Sequence, residues 1–366
     1  ARAPDMLFMI GRDETLRVPS QQDEAYAGTI DIVNWHQWHK DAIVYNEYFL
    51  NDVRNLPSCA QEIGVYSMKD QRGEPAVDEA FRKRVLEKKL LYSFGNWLHW
   101  QYASDMLMDK LMEAQLGLYR WDGTAKPFLE VMRPLAFLEE EMAPKITGPN
   151  RYDSGIVILH PTRLHYSVDS DLAYEGIIAA VTTLAFSLKH RADVVLEHLF
   201  RRDNTAQIGR PKLIIVPACM LLSDETWETL LLYMKKKGAT VFVSGDPDRD
   251  GYWRTSNRLQ RLGIKTARCH VRPEETITAG RTVFRTSFRS RIDYNDPGRV
   301  FVRPVVAGAP ENSIATVPVG RGKLLLCPLP VELGDNPAAV VEIYRLALQA
   351  ADIGPRPFAL AAESDN

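Results

Sequence analysis

Only four cysteines occur in the 366 residues, Cys59, Cys219, Cys269 and Cys327, and no two lie close together. Without a C-x-x-C pair or a Cys/His ligand spacing, nothing points to a zinc site. A chain of this length does not need a disulfide framework. No run of about 18 apolar residues is present, which leaves no candidate transmembrane helix. Charge is nearly balanced, 45 Lys and Arg against 47 Asp and Glu for a net −2. The basic excess expected of a nucleic-acid-binding protein is therefore missing. The run "MKKKG" at 234–238 reads as a solvated helix end beside a glycine cap. The N-terminal "ARAPDMLFMIGRDE" lacks the basic–apolar–small layout of a signal peptide. It starts with Ala rather than Met, so the gene is expected to start elsewhere, and the compartment stays open.

What is there is the mix of a globular protein, 45% hydrophobic and 25% charged. The length suits two domains. The Pro/Gly/Asn stretch "APKITGPNRYDSG" (143–155) follows an acidic helical pattern and reads as a linker. It separates an expected domain over 1–145 from a second over 151–355, with a loose tail over 356–366. In the first, "DMLFMIG" (5–11), "GTIDIVNW" (28–35), "SCAQEIG" (58–64) and "LYSFGNW" (91–97) read as strands. Helical patterns at 39–56, 77–93, 104–118 and 126–142 alternate with them, which implies βα units and a parallel sheet. In the second, "SGIVILHP", "ADVVLEHLF", "PKLIIVPA", "GATVFVSG" and "GKLLLCPLP" carry strands, several in the continuous apolar form of doubly covered strands. Helices are expected over 171–190, 223–237 and 337–351, the middle one with Ser223 as N-cap and Gly238 as stop. This alternation predicts a flavodoxin-like α/β sandwich.

The chemistry centres on Glu62, a carboxylate between an apolar strand and a glycine. Catalytic groups of a parallel barrel sit at the carboxyl ends of its strands. The preceding strand ends in "NWHQW", which brings Trp35, His36 and Trp38 to that end; the following one leads into "NWLHWQYASD", with Trp97, His99, Trp100 and Tyr102. Five of the seven Trp fall between 35 and 121. A single Trp is ordinarily core packing, but indoles gathered around a carboxylate suit a sugar, whose C–H faces lie on aromatic rings.

The order "IDIVNWHQW", "SCAQEIG", "GNWLHWQYASD", "LGLYRWDGTAKP" resembles strands 6 to 8 of clan A glycoside hydrolases over roughly residues 5–140. The resemblance implies the C-terminal half (strands 5–8) of a retaining (β/α)8 TIM barrel. "QEIG" matches the strand-7 setting of the nucleophile and assigns that role to Glu62. His36 would neighbour the nucleophile, Trp100 would floor the sugar subsite, and Trp97, Trp35 and Trp38 would be further walls. Arg12, just after the expected strand 5, is a candidate substrate contact. No metal or organic cofactor is implied.

The stretches "KLIIVPACMLLSDETWETLLLYMKKKGATVFVSG" and "VGRGKLLLCPLPVEL" resemble the glutamine-amidotransferase-like domain that follows the barrel in family 42 β-galactosidases. There it serves oligomerisation, so a homo-oligomer is expected. An active amidotransferase is not, because Cys219 lies in "PACML" rather than a G-x-C-x-G elbow; it reads as a small buried residue.

A retaining mechanism needs two carboxyls about 5 Å apart. In the clan the acid/base is the Glu of an Asn-Glu pair ending strand 4, which here would precede residue 1. Asn46–Glu47 falls in a helical pattern and reads as surface. Half a barrel exposes sheet edges, so a second chain or a preceding segment with strands 1–4 is the expected partner. The reading is thus a β-galactosidase-like hydrolase of β-glycosidic bonds. The alternative is a non-catalytic carbohydrate-binding or oligomerisation subunit.

Overall fold

The computed structural model describes three strands of the first part of the chain, scattered positions between 79 and 141, and residues 155–354 with short breaks. The chain divides into two compact units, residues 1–16 with 20–151 and residues 17–19 with 152–366.

In the first unit, β1 (Met9–Arg12), β2 (Ile32–Gln37) and β3 (Ser58–Ile63) form a parallel sheet in chain order. Parallel neighbours need a crossover of a dozen or more residues between them; segments 13–31 and 38–57 are long enough. Two strands end later than their apolar runs imply. β1 takes in Arg12, and β2 continues through His36 to Gln37, because pairing with the next strand holds the backbone extended beyond the hydrophobic stretch. The expected strand at 91–97 and the pair Asn46–Glu47 lie outside the described residues.

The second unit is built on a six-stranded sheet in the order β12-β13-β7-β6-β4-β5. Its members are β4 (Ile156–His160), β5 (Asp193–Leu196), β6 (Leu213–Cys219), β7 (Thr240–Gly245), β12 (Ala315–Val319) and β13 (Gly322–Cys327). All pairs are parallel except the edge pair β12–β13. The parallel strands run 2-1-3-4-5 across the sheet, the doubly wound order whose direction reverses between its first and third strands, here β4 and β6. Every residue of β4, β6 and β7 is buried. That burial matches their uninterrupted apolar runs.

Helix α1 (Ser170–Thr182) packs on β4 and β6, and α3 (Pro337–Ala350) packs on β7. The Tyr344 ring meets Phe242 edge-on at 5.4 Å on that face. Helix α2 (Asp224–Leu232) covers the opposite face. There Trp227 and Leu230 join Val157, Leu159, Ile214, Val216, Val241, Val243 and Leu324 in one core. Burying each such side chain stabilises by about 1.5–3 kcal/mol. α2 begins as its sequence dictates: the Ser223 side chain accepts the Thr226 N–H, and Asp224 and Glu225 fill the first turn. The chain leaves the next turn through Gly238 in the left-handed conformation. Among the described residues no helix is long and apolar enough to cross a membrane.

Between β7 and β12 the chain adds two antiparallel pairs, β8 (Thr266–His270) with β11 (Val302–Val306), and β9 (Glu274–Ala279) with β10 (Thr282–Ser287). A buried carboxylate, Glu275, ties them together. It accepts from the Arg272 backbone and guanidinium, from Arg303 and from Asn312. Burial alone would raise its pKa. The Arg272 hydrogen bonds and the Arg303 charge outweigh that and hold it below the usual carboxylate range.

The strand ends of this sheet are tightly packed. Gly245 closes β7 at φ +99°, and a Cβ there would stand 2.3 Å from the Cys219 carbonyl oxygen. Both the conformation and the space exclude a side chain. Gly245→Ala is expected to cost about 2 kcal/mol or more, read as a lowered urea midpoint at unchanged slope.

Candidate functional site

The sequence-derived candidates of the first unit fall in neighbouring rows at the carboxyl ends of three adjacent parallel strands. Arg12 on β1 is the register partner of Trp35 on β2, and Trp35 in turn is the partner of Ala60 on β3. One step further, His36 is the partner of Glu62. Pairing skips Gln61, so β3 carries an extra residue immediately before the carboxylate. Such β-bulges bend the strand and re-aim the side chains beyond the bend, and they are frequent beside active sites. Glu62 is the only carboxylate in these three strands. Trp38, Trp97 and Trp100 lie outside the described residues.

The chemistry open to this row stems from residue type. Glu supplies a carboxylate, which can act as nucleophile or base, and His an imidazole, which can hydrogen-bond one. A guanidinium at the adjoining strand end offers a fixed fork of donors for hydroxyls or carboxylates. An indole offers a flat apolar surface.

The second unit has its own cluster at the strand ends beside the β4–β6 reversal, the place where open α/β sheets bind ligands. The protein's own groups fill it. Ala218, in the left-handed region at φ +43°, donates its N–H to Ser244 Oγ at 2.8 Å and to Glu332 Oε2 at 3.1 Å. Because Ser244 Oγ accepts that bond, its own hydrogen goes to Glu332 Oε2, 2.5 Å away. The Tyr344 hydroxyl stands 2.7 Å from Glu332 Oε1. Gly176 of α1 abuts Ala218, where a Cβ would approach to 2.9 Å.

Cys219 is next to this cluster and is buried. Its sulfur faces two carbonyl oxygens, of Leu221 and Asp246. Burial, reinforced by the Asp246 charge, pushes the thiol far above its ordinary value. A thiol so placed supplies no thiolate, in keeping with Cys219 as a small packed residue. Sequence reasoning passed over Glu332 and Ser244, because a lone Glu after "CPLPV" carries no pattern. It also passed over the loop "DPDRDGYWR" (246–254), whose Asp246, Asp248 and Asp250 are all buried. No group of His, Cys, Asp or Glu among the described residues is arranged to hold a metal ion.

No protein-family profile matches the sequence, and no curated protein does. Solved structures do match. Gan42B, a GH42 β-galactosidase from G. stearothermophilus, superposes with a TM-score of 0.61 at 13% identity, over 91% of this chain and 51% of that one. The exo-β-1,4-mannosidase Op5Man5 from Opitutaceae bacterium strain TAV5 gives 0.60 at 15% identity, over 95% and 65%. The β-galactosidase of Bacillus circulans sp. alkalophilus gives 0.58 at 11%, over 90% and 51%. The chain thus spans about half to two thirds of the length of these enzymes and shares their mixed α/β fold with parallel sheets.

Proposed function

We propose that this chain is the C-terminal portion of a retaining β-glycosidase, with Glu62 as its nucleophile. The observation that carries the reading is the register of His36 with Glu62 at the carboxyl end of a parallel sheet, one row beyond Arg12 and Trp35. The fold shared with two β-galactosidases and a β-mannosidase supports it.

In this mechanism a Glu62 carboxylate oxygen attacks the anomeric carbon while the bond to the leaving oxygen breaks, giving a glycosyl-enzyme ester. The proton for the leaving oxygen comes from a second carboxylic acid, a Glu on barrel strand 4 outside this chain. That group then takes a proton from the water that hydrolyses the ester. His36 hydrogen-bonds the carboxylate or a sugar hydroxyl, Arg12 contacts the sugar, and Trp35, Trp38, Trp97 and Trp100 form its aromatic walls. The strand 1–4 half comes from a preceding segment or a second chain. The second unit does no chemistry of its own and mediates self-association.

A second reading, a non-catalytic carbohydrate-binding or oligomerisation subunit, draws on Glu62 being the only carboxylate in β1–β3. The complete assembly, this chain with whatever supplies strands 1–4, decides between them. The enzyme reading requires that it hydrolyse aryl β-glycosides and that hydrolysis fail when Glu62 is replaced by Gln. Full activity of that variant on every hydrolysed substrate overturns the assignment.

A further inference from the structure

The loop after β7 presents the only adjacent pair of large exposed hydrophobic side chains among the described residues, Tyr252 (71% exposed) and Trp253 (38%). Its tip is rigidly built. Asp250 Oδ1 accepts the N–H groups of Tyr252 and Arg254, and its Oδ2 takes Arg254 Nε. Trp253 N–H donates to the Asp250 carbonyl, and Arg249 and Thr255 form an antiparallel bridge across the base. The fully buried Arg258 donates to the carbonyls of Pro247, Arg249 and Leu222 beneath it. At the apex Trp253 holds φ +65°, a conformation that is an outlier for a bulky residue. Strain of this kind persists where the surroundings over-determine it, commonly at ligand-binding sites.

Guanidinium groups line both rings. Arg254 lies 5.0 Å and Arg163 5.6 Å from the Tyr252 centroid, and Arg249 lies 5.8 Å from that of Trp253. The three local carboxylates are already engaged. Asp250 is taken up by the tip itself; Asp248 Oδ1 accepts from Leu259 N–H; Asp246 Oδ1 accepts from Asp248 N–H, and its Oδ2 is 3.3 Å from Arg268. Arg163 and Arg249 make no salt bridge among the described residues, although the Arg163 charge is felt by buried Glu197 and that of Arg249 by buried Asp246. The tip therefore offers flat aromatic surface and an excess of cationic donors, with its carboxylate acceptors spent. A neutral sugar needs acceptors as well as donors for its hydroxyls. An acidic sugar supplies the missing charge and still offers an apolar ring face. Two rings are also too little apolar surface for a stable protein interface, which needs about 800 Å² per partner.

We infer that the Tyr252–Trp253 tip is a binding platform for an anionic saccharide, one whose pyranose ring stacks on the aromatics while its carboxylate or sulfate meets Arg163 and Arg249. The platform is separate from Glu62 and stands or falls independently of the nucleophile assignment.

The test is calorimetric titration of the complete assembly with tetragalacturonic acid and with the neutral α-linked maltotetraose, which the proposed β-glycosidase chemistry does not hydrolyse. The acidic oligosaccharide is expected to bind at least about tenfold more tightly, with affinity falling as salt rises. Tyr252→Ala and Trp253→Gly are each expected to weaken it about tenfold or more; the second relieves the positive φ, so folding is not at stake. Arg163→Gln with Arg249→Gln is expected to flatten the salt dependence, while Glu62→Gln leaves binding intact. Equal affinity for the acidic and the neutral saccharide, or unchanged binding by Trp253→Gly, overturns the inference. So does self-association that Trp253→Gly abolishes without any saccharide binding, since that outcome makes the tip a protein contact. A sulfated galactan fragment in a parallel titration separates carboxylate from sulfate as the anion; failure of both acids to bind also overturns it.

Discussion

Glu62→Gln in the complete assembly is expected to lower kcat for aryl β-glycosides by about a thousandfold or more, the scale at which loss of a covalent nucleophile is felt. Gln is nearly isosteric with Glu, and β3 keeps its pairing with β2 whichever of the two occupies position 62. The amide cannot form the glycosyl ester, so the loss appears in kcat with the fold intact. Substrate binding survives, because the walls and Arg12 are unchanged. Unaltered circular dichroism and near-normal binding of a product sugar, together with the lost turnover, separate this from misfolding. A fall of only a few-fold would demote Glu62 to a substrate contact.

The second large effect is on stability. Glu332→Ala is expected to destabilise the second unit by about 3–5 kcal/mol. It removes the shared acceptor of the Ser244 hydroxyl and the Ala218 N–H, strands the Tyr344 hydroxyl and opens a cavity in a buried cluster. Glu332→Gln is expected to cost less than Glu332→Ala, because it opens no cavity. Burial raises the Glu332 pKa, against hydrogen bonds from Ser244 and Tyr344 that act to lower it. Ser244 and Ala218 donate to Oε2, and the Tyr344 hydroxyl donates to Oε1. An amide fills the same volume and keeps one oxygen for the Ser244 and Ala218 donors. The pH dependence has a definite sign. A carboxyl whose folded pKa is raised gives its full contribution below the unfolded value, 4.5, and loses it as pH rises toward the folded value. Wild type should therefore lose stability from this group as pH climbs above about 4.5, and Glu332→Gln should remove that slope. Urea titrations at several pH values measure both; a pH slope unchanged in Glu332→Gln would contradict the raised value.

Much of the second unit's sheet was legible in the sequence. "PKLIIVPA" and "GATVFVSG" are buried on both faces, and an apolar run is the direct record of that environment. Ser223 and Gly238 were legible because capping and left-handed exit each demand a particular residue type. The segment between β7 and β12 was not. Its short strands mix exposed and buried positions, and a buried ion-pair network around Glu275, rather than an apolar run, ties them together. Glu332 escaped for a similar reason: its partners Ser244 and Tyr344 are distant in sequence, so nothing local marks it. Nothing in the sequence marks Trp253, since a positive φ on a non-glycine residue leaves no trace in composition. Around Glu62 the residue types draw attention to β2 and β3, but the skipped Gln61 and the pairing with His36 are properties of register. A bulge is a choice between near-equal pairings, and the sequence of one strand does not encode it.

Trapping the covalent intermediate tests the central claim most directly. The complete assembly is incubated with a 2-deoxy-2-fluoro-β-glycoside bearing a good leaving group, then digested and mapped by mass spectrometry. One sugar ester per active site is expected, on the peptide containing "SCAQEIG", with Glu62 as the modified residue. An ester on any other carboxylate, or unlabelled protein from an assembly that turns over the parent glycoside, would contradict it.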